Sequence, residues 1–357
     1  MESSFWKGKK VLLTGHTGFK GSWLSIWLQS LEANLVGFSK SIPTKPSLFE
    51  MADVQSGMIS IMGDICDFEH IKQVVQEYKP EIVIHMAAQS LVRESYNNPI
   101  DTYSTNVIGT VNLLESIRIT GKNRIVINVT SDKCYENLES NKSFQEEDPM
   151  GGFDPYSSSK GCAELITSAY RDSFFNTREF HKHGIAIASV RAGNVIGGGD
   201  WSKDRLIPDV MNSLLDGHVL KIRNSDAIRP WQHVLEPLSG YLLLAEKLNS
   251  DGVKYSGAWN FGPSENDARP VSWIIKKLSQ YFGTTINYEI NTDEKPHEAT
   301  YLRLDCSKAR NILGWIPKTD LEIAIRWISE WYKQFEQKAD LRAFTEKQIQ
   351  EFTLLKT

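Results

Sequence analysis

A glycine-rich octapeptide, TGHTGFKG at residues 14–21, constrains the fold of this chain more than any other feature. It follows an apolar run and precedes a segment with helical apolar spacing. Its three glycines have the spacing of a strand–turn–helix unit that binds a dinucleotide: the first makes the tight turn, the second admits the pyrophosphate, and the third lets the helix pack on the strand. The helix N-terminus would stabilise the pyrophosphate. The alternative is a purely structural turn. The predicted dinucleotide contacts in this turn are Gly15, Thr17, Gly18, Phe19 and Gly21.

Short apolar runs alternate with helical segments through the first half of the chain. The runs are continuously apolar, which is typical of parallel strands covered on both faces. Between them, Trp23, Trp27 and Leu31 are four residues apart, and Thr110 to Ile117 again has helical spacing. Successive βαβ units of this kind predict an α/β fold with a Rossmann-type, doubly wound parallel sheet. The predicted strands are 11–13, 35–38, 82–84, 125–129 and 185–190.

The residue composition of the sequence changes after Arg191. Three consecutive glycines at 197–199 open a polar loop, and Trp, Arg and His residues are interleaved with turn residues beyond it. We therefore predict a smaller mixed α/β C-terminal lobe that binds the substrate. The predicted division is residues 1–190, with about 234–260, for the Rossmann domain, and 191–233 with 261–357 for the lobe.

Composition excludes several classes of protein. The 357 residues include 40 Lys+Arg and 44 Asp+Glu, a net charge of −4, with no long basic run, which disfavours a nucleic-acid-binding protein. No apolar stretch approaches the roughly 18 residues that span a bilayer, and the N-terminus has no secretory pattern. The four cysteines show no metal-type spacing. We expect a cytoplasmic protein without a structural metal, a nucleic-acid partner or a membrane anchor.

The residues after the second and third strands bear on the cofactor. Ser39-Lys40 stands in place of the acidic residue that commonly hydrogen-bonds the ribose of NAD. A lysine there could favour the 2′-phosphate of NADP. These residues alone therefore leave both NAD and NADP open. Asp64, followed by Ile65, could accept a hydrogen bond from the adenine amino group. It could equally cap a turn.

The segment from Asp154 to Lys160, DPYSSSK, predicts a helix that begins with an N-cap and a proline. Tyr156 and Lys160 then share one helix face. A nearby ammonium and the nicotinamide cation would lower the phenol pKa from about 10 towards neutrality, which makes Tyr156 a candidate base for a hydroxyl whose carbon loses a hydride. The alternative is a solvated helix face.

Polar residues follow the predicted strand 125–129, where ligands bind in parallel sheets. Ser131 could hydrogen-bond a reacting hydroxyl beside Tyr156. Asp132 and Lys133 form an acid/base pair of the kind that proton transfers need. The alternative is a turn with a surface ion pair.

Together these motifs resemble the extended short-chain dehydrogenase/reductase family. The markers are TGHTGFKG, HMAAQ at 85–89, Asn106 and YSSSK at 156–160. Within this family the chain is similar to the CDP-glucose 4,6-dehydratases. The stretches that carry this similarity are TSDKCYEN at 130–137, RAGNVIGGGDW at 191–201, DRLIPD at 204–209 and IRPWQHVLEPLSGY at 228–241.

The resemblance implies NAD-dependent dehydration of CDP-glucose to a 4-keto-6-deoxy sugar nucleotide, which would feed deoxysugar biosynthesis of the O-antigen or lipopolysaccharide type. Tyr156 would take the proton of the 4-hydroxyl while hydride passes from C4 to NAD, and the hydride would return to C6 after water leaves. Asp132 would protonate the departing 6-hydroxyl. Lys133 stands where relatives place a glutamate base for the C5 proton, and it can act as a base only in its neutral form.

The resemblance also implies further ligand contacts and a helix-paired homodimer, or a homotetramer. Arg205 and Arg229 are expected to bind the diphosphate; alternatively, Arg229 and Trp231 could form a structural cation–π pair. The other implied cofactor contacts are Asp64, Ile65, Ala87, Ala88, Asn106, Tyr156, Lys160 and Arg191. The implied substrate contacts are Gln89, Asn194, Arg205, Arg229, Trp231, His233 and Tyr301.

Two other functions stay open at this point. A sugar-nucleotide 4-epimerase shares the first oxidation step but needs no elimination pair such as Asp132 and Lys133. A non-catalytic protein that senses a dinucleotide could share the fold, although such a protein would be expected to lose Tyr156 or Lys160, and both are present.

Overall fold

The computed structural model describes residues 3–121, 124–138, 142–290 and 302–356. Apolar runs form the main strands, and two-residue to four-residue strands occur in the second half. In chain order the strands are β1 Lys10–Thr14, β2 Asn34–Ser39, β3 Ile59–Met62, β4 Ile82–His85, β5 Ile125–Val129, β6 Ser143–Phe144, β7 Ala186–Arg191, β8 Val195–Ile196, β9 Leu220–Ile222, β10 Ile228–Pro230, β11 Gln232–His233, β12 Gly257–Asn260, β13 Ala268–Pro270, β14 Tyr288–Ile290 and β15 Arg303–Leu304.

Helices connect most of these strands. Short 3₁₀ segments also occur, one of them at Asp132–Cys134, and wider π-type turns occupy Ser104–Ile108 and Ala309–Leu313. In chain order the helices are α1 Ser3–Trp6, α2 Phe19–Ser30, α3 Leu48–Met51, α4 Phe68–Tyr78, α5 Val92–Asn97, α6 Pro99–Tyr103, α7 Gly109–Thr120, α8 Pro155–Ser173, α9 Phe180–His183, α10 Leu206–Asp216, α11 Leu235–Ser250, α12 Gly252–Tyr255, α13 Val271–Phe282, α14 Leu321–Glu336 and α15 Leu341–Leu354.

Seven strands form one parallel sheet in the order β12-β7-β5-β4-β1-β2-β3. The strand order reverses at β1, which pairs with β2 on one side and with β4 on the other. This reversal opens a crevice at the carboxyl ends of β1 and β4, where doubly wound sheets bind ligands. The predicted Rossmann-type fold is confirmed.

The sheet is buried on both faces, which explains why its strands are continuously apolar. Val11 and Leu13 of β1 face one core, and Leu12 faces the other. Trp23 and Trp27 of α2 are buried in the first core, as their spacing predicts.

Beside the main sheet, the described residues form four two-stranded sheets, β10-β13, β11-β8, β14-β9 and β15-β6, and all their strands except β6 belong to the second half of the chain. Strand β12 lies at the edge of the main sheet, and α14 packs between α13 and α15. No helix within the described residues is both long and apolar enough to span a bilayer. The boundaries that the sequence suggests for the two lobes stay a prediction.

Candidate active site

A cleft of about 1350 Å³ lies above the reversal point of the sheet. That is more than the roughly 300–1,000 Å³ of an ordinary small-molecule site, and it leaves room for two nucleotide-sized ligands. One side, which we call the sheet wall, consists of Gly15, residues 17–21, 86–89 and 129–133, Tyr156 and Lys160. The opposite side, the lobe wall, is drawn from residues 192–209 and 221–231.

The glycine turn has the geometry that a dinucleotide requires. Gly15 has a φ of +76°, and a Cβ there would lie 2.7 Å from the backbone nitrogen of Ala87. A Cβ on Gly21 would lie 2.1 Å from the carbonyl oxygen of Gly15, so only glycine lets α2 approach β1 this closely. Gly18 caps α2 with an extended backbone, and a Cβ there would have only the Gly15 oxygen nearby, at 3.4 Å. The turn therefore leaves the start of α2 open to a phosphate.

Other predicted cofactor contacts surround this turn. Thr17 fixes the neighbouring loop, because its hydroxyl donates to the carbonyl of Ser41 at 2.7 Å. The predicted contacts that line the cleft are Gly15, Thr17, Gly18, Phe19, Gly21, Asp64, Ile65, Ala87, Ala88, Tyr156 and Lys160.

At the far end of the cleft, Lys40 is paired with two carboxylates. Its ammonium lies 3.0 Å from Asp64 and 3.6 Å from Asp101. The hydrogen bond with Asp64 raises the pKa of Lys40. The other carboxylate oxygen of Asp64 accepts from the backbone of Cys66 at 2.9 Å, so Asp64 caps a turn and also faces the cleft. The charge of Lys40 is thus already compensated by protein.

Helix α8 begins as the sequence predicts, with Asp154 accepting from the backbone of Ser157 at 2.9 Å. This start places Tyr156 and Lys160 in the cleft. The Lys160 ammonium donates to the carbonyl of Val129 at 3.4 Å, and burial lowers its pKa to about 8.

The lowering of the Tyr156 pKa that a nearby ammonium and the nicotinamide cation are expected to cause stays a prediction for the complex with NAD. Burial raises the pKa of this phenol to about 12, because the phenolate loses more hydration than the nearby hydrogen bond from Ser131 restores. Burial by itself therefore favours the phenol over the phenolate.

The strand end after β5 carries three polar residues into the cleft, as predicted. Ser131 begins the 3₁₀ segment and accepts from the backbone of Lys133 at 3.2 Å. The Asp132 side chain is packed against Gly193, where a Cβ would lie 1.7 Å from a carboxylate oxygen. Lys133 is half-buried and also lines the cleft. A buried carboxylate and a lysine thus line the same cleft as Tyr156, which is the set of groups that proton transfers need.

The lobe wall brings basic and aromatic side chains to the cleft. Arg205 lies 3.1 Å from Asp200 and donates to the Ser90 hydroxyl at 3.1 Å. Arg229 donates to the carbonyl of Ile228, and the Trp231 indole donates to that of Arg269, both at 3.2 Å. The predicted substrate contacts that line the cleft are Gln89, Asn194, Arg205, Arg229 and Trp231. Tyr301 lies outside the described residues.

The structure corrects two of the predicted cofactor contacts. Arg191 does not line the cleft but is buried behind it, 2.8 Å from Glu164, because that carboxylate compensates its charge. Asn106 is also buried, and its amide is used by the backbone of Gln89 and the hydroxyl of Ser159. Asn106 therefore holds the loop that lines the cleft and does not contact a cofactor itself.

His233 is corrected as well. It is fully buried, with Trp23 at 5.7 Å and Trp327 at 5.4 Å between ring centroids. Burial lowers its pKa to about 3, so the imidazole is neutral. It is a core residue and not a substrate contact.

Sequence reasoning missed Lys20, which also lines the cleft. Burial, followed by the charges of Arg205 and Lys160, lowers the pKa of Lys20 to about 7. The available signal was its place in the first turn of α2, where a helix N-terminus disfavours a cation. A lysine at this unfavourable position indicates that its amine has a role in the cleft.

Comparison with known proteins identifies the family. The GDP-mannose 4,6 dehydratase family profile matches residues 12–328. The chain belongs to this family. It is 51% identical over 352 residues to a CDP-glucose 4,6-dehydratase of Salmonella typhimurium, covering 99% of this chain and 98% of that protein.

Two further relatives show the range of the family. The crystal structure of a dTDP-glucose 4,6-dehydratase from Bacillus anthracis in complex with NAD has a TM-score of 0.76 and 26% identity, covering 92% of this chain and 98% of that chain. A UDP-glucose 4-epimerase of Halalkalibacterium halodurans is 27% identical over 341 residues, 91% of this chain and 96% of that protein. The fold is thus shared by dehydratases and epimerases, and the site must distinguish them.

Proposed function

We propose that this protein catalyses the NAD-dependent 4,6-dehydration of CDP-D-glucose to CDP-4-dehydro-6-deoxy-D-glucose and water, a hydro-lyase reaction. The observation that carries the proposal is the convergence of Tyr156, Ser131, Asp132 and Lys133 on one wall of one cleft. An oxidation at C4 and an elimination across C5 and C6 can then take place on the same bound sugar. The choice of CDP-glucose rests on the 51% identity to the Salmonella enzyme.

The glycine turn and the far end of the cleft fit NAD. When bound, NAD accepts a hydride from C4 of the sugar and gives it back at C6. Gly15, Gly18 and Gly21 admit its pyrophosphate at the start of α2. Asp64 and Asp101 compensate Lys40 and would repel a 2′-phosphate, so NAD should bind more tightly than NADP in calorimetry.

The reacting groups divide between two positions of the sugar. Tyr156 takes the proton of the 4-hydroxyl and Ser131 hydrogen-bonds that hydroxyl, while the Lys160 ammonium holds the adjoining backbone of Val129. Asp132 gives a proton to the leaving 6-hydroxyl. Lys133 acts at C5, either as the amine that takes its proton or as a cation that stabilises the enolate.

The lobe wall holds the nucleotide. Arg205 and Arg229 bind the diphosphate, for which planar guanidinium groups are suited, and Trp231 contributes an apolar surface. Arg205 needs only to exchange its contacts with Asp200 and Ser90 for those with a phosphate. Tyr301, which the resemblance places in the nucleotide pocket, completes this set of proposed contacts.

We also infer a homodimer, or a homotetramer built from it. Helices α6, α7 and α8 and the π-type turn before α7 contact one another, and they expose large apolar side chains. Ile100 is 82% exposed, Ile108 51% and Leu165 60%. Apolar side chains on adjoining helices are suited to pairing with a second copy. Leu165→Glu should lower the molar mass measured by light scattering.

The protein works in the cytoplasm under this proposal. Its four cysteines, Cys66, Cys134, Cys162 and Cys306, are all free thiols, which is typical of a reducing compartment.

The experiment that tests the proposed function is incubation with NAD and, separately, CDP-, dTDP- and UDP-glucose. We expect a 4-keto-6-deoxy product from CDP-glucose. Conversion of a nucleotide-glucose into its galactose epimer, with no keto sugar, would instead support the epimerase. The buried Asp132 beside Lys133 favours dehydration, because epimerisation at C4 expels no group from C6 and needs no acid there.

A further inference from the structure

Residues 131–133, which we call the acid–base segment, place three polar side chains in the cleft. Most of the segment belongs to the 3₁₀ turn Asp132–Cys134, whose hydrogen-bond geometry is poorer than that of an α-helix. The residue before the segment, Thr130, and the residue just beyond the turn, Tyr135, are both buried. The contacts that hold these two flanking residues therefore determine where the acid–base groups lie.

One carboxylate, that of Glu164 on α8, reaches both flanking residues. One of its oxygens accepts a hydrogen bond from the Thr130 hydroxyl. The other oxygen accepts from the Arg191 guanidinium at 2.8 Å, and Arg191 donates in turn to the Tyr135 hydroxyl at 2.6 Å. The same guanidinium lies over the Tyr135 ring, 4.8 Å from its centroid. Glu164 thus holds one flank of the segment directly and the other through Arg191.

The Glu164 carboxylate is both buried and charged. Its side chain is only 4% exposed. Burial by itself would raise the pKa of this carboxyl, but the charge of Arg191, together with hydrogen bonds from Arg191, Ser189 and Thr130, lowers it. Ser189 on β7 supplies its bond at 2.6 Å. Hydrogen bonds to an ionised group are roughly twice as strong as those between neutral groups, so this carboxylate is a firm anchor.

The far flank is held by further contacts. The Tyr135 hydroxyl donates to the side-chain oxygen of Asn260 at 2.8 Å, and the Tyr135 ring stacks on Phe144 with 4.8 Å between centroids. Helix α8 lies close behind the 3₁₀ turn, because a Cβ on Gly161 would lie 3.2 Å from the carbonyl oxygen of Cys134. The acid–base segment and α8 therefore keep a fixed relative position.

We propose that Glu164 is a positioning residue for the elimination, and that it acts by holding both flanks of the acid–base segment. This inference rests on the proposed dehydratase function. Glu164 does not line the cleft, so it does not touch the sugar. A displacement of about 1 Å in a reacting group can cost about 10²-fold in rate, so a carboxylate behind the cleft can control the rate without contacting the substrate.

The two chemical steps depend on Glu164 to different extents. Asp132 and Lys133, the groups proposed for the elimination, both lie on the acid–base segment. Tyr156, which is proposed for the oxidation at C4, lies on α8 itself. Loss of either anchor should therefore slow the departure of water more than the transfer of hydride.

Thr130→Val and Tyr135→Phe test the proposal, because each removes one hydroxyl and keeps the shape of the side chain. Both leave the pair of Glu164 and Arg191 intact, so the protein should fold. With NAD and CDP-glucose, we expect kcat to fall by about 10–100-fold in each variant, with KM and calorimetric NAD binding unchanged. In a single turnover, the absorbance of reduced nicotinamide should persist longer than in the wild type. Thr130→Ser, which keeps the hydroxyl, should restore kcat.

Ser189→Ala is the matched control. It removes a hydrogen bond to the same carboxylate, but Ser189 belongs to β7 and to neither flank of the segment. We expect this variant to lower Tm about as much as Thr130→Val does and to keep kcat within a small factor of the wild type. Thermal unfolding and steady-state kinetics would measure the two effects.

The proposal is overturned if Thr130→Val and Tyr135→Phe lower Tm but keep the wild-type kcat, because the network would then serve stability alone. It is also overturned if Ser189→Ala loses as much kcat as they do, since the loss would then follow stability and not the anchoring of the segment. A fall in kcat in which hydride transfer slows as much as the departure of water would likewise contradict it. Failure of the dehydratase function is a different result: the wild type itself would give no keto-deoxy sugar.

Discussion

The sheet wall of the cleft holds its side chains through hydrogen bonds to strand ends and to one another, whereas the lobe wall holds Arg205 through contacts that a ligand can replace. Lys160 is bonded to the backbone of Val129, and Ser131 to that of Lys133. Arg205 instead contacts a carboxylate and a hydroxyl, both on side chains. This difference indicates that the sheet wall is preorganised for chemistry and that the lobe wall adjusts to its ligand. Substitutions on the first should change kcat, and those on the second should change KM.

Tyr156→Phe should have the largest effect. It tests most directly whether substitutions on the sheet wall change kcat and leave KM unchanged. It removes the hydroxyl that we propose takes the proton of the 4-hydroxyl but keeps the ring, so packing is retained. We expect kcat to fall by about 10²–10⁴-fold with little change in KM or in NAD binding. Steady-state kinetics and calorimetry would measure this. Near-full dehydratase activity in the variant would exclude Tyr156 from the reaction.

Lys133→Met tests which step of the reaction depends on Lys133 of the sheet wall. The side chain is of similar length, and its loss should spare NAD binding and the C4 oxidation more than the dehydration. We expect the exchange of the C5 hydrogen in deuterated water to fall with the yield of keto-deoxy sugar, by about 10²-fold. NMR of the recovered sugar would show it. Unchanged C5 exchange would exclude both the base and the enolate-stabilising roles.

Arg229→Gln tests the lobe wall. A hydrogen bond to a charged group is worth about 1.5–3 kcal/mol, so its loss should raise KM by about 10–100-fold and leave kcat within a small factor. Arg269→Gln is the matched control, because Arg269 pairs with Arg229 across β10 and β13 but does not line the cleft. A fall in kcat without a change in KM would show that the lobe wall does not act through substrate binding alone and would contradict the contrast between the two walls.

Lys20→Met has the smallest expected effect, and it acts on stability. The folded pKa of Lys20 is lowered from 10.5 to about 7, so below about pH 7 both the folded and unfolded chains carry its proton and the full burial cost applies. As pH rises towards 10.5 only the unfolded chain keeps the proton, and the cost shrinks. The variant should therefore exceed the wild type in Tm more at about pH 6 than at about pH 9.

Lys40→Met is the control for that measurement, because pairing with Asp64 raises the pKa of Lys40 instead of lowering it. Its Tm difference from the wild type should not favour the variant at low pH. A Lys20→Met variant with the same Tm difference at both pH values would show that Lys20 is not desolvated in the folded protein.

The same contrast explains what the sequence could predict. The sheet and the positions of Gly15, Ser131 and Tyr156 follow from local motifs, since strand ends of a parallel sheet meet at one edge. Arg191 and His233 could not be placed in this way. The partner of Arg191 is Glu164, one helical turn beyond Lys160, and His233 is buried between Trp23 and Trp327, which are distant in sequence. Such contacts form only in the folded core.

The central claim is that oxidation at C4 and elimination at C6 occur on one sugar held in one cleft. Turnover of CDP-glucose that carries deuterium at C4, followed by NMR and mass spectrometry of the product, tests it most directly. The account predicts that the deuterium is found at C6 of the keto-deoxy sugar and not in the solvent. Deuterium lost to the medium, or retained at C4 of the product, would contradict it.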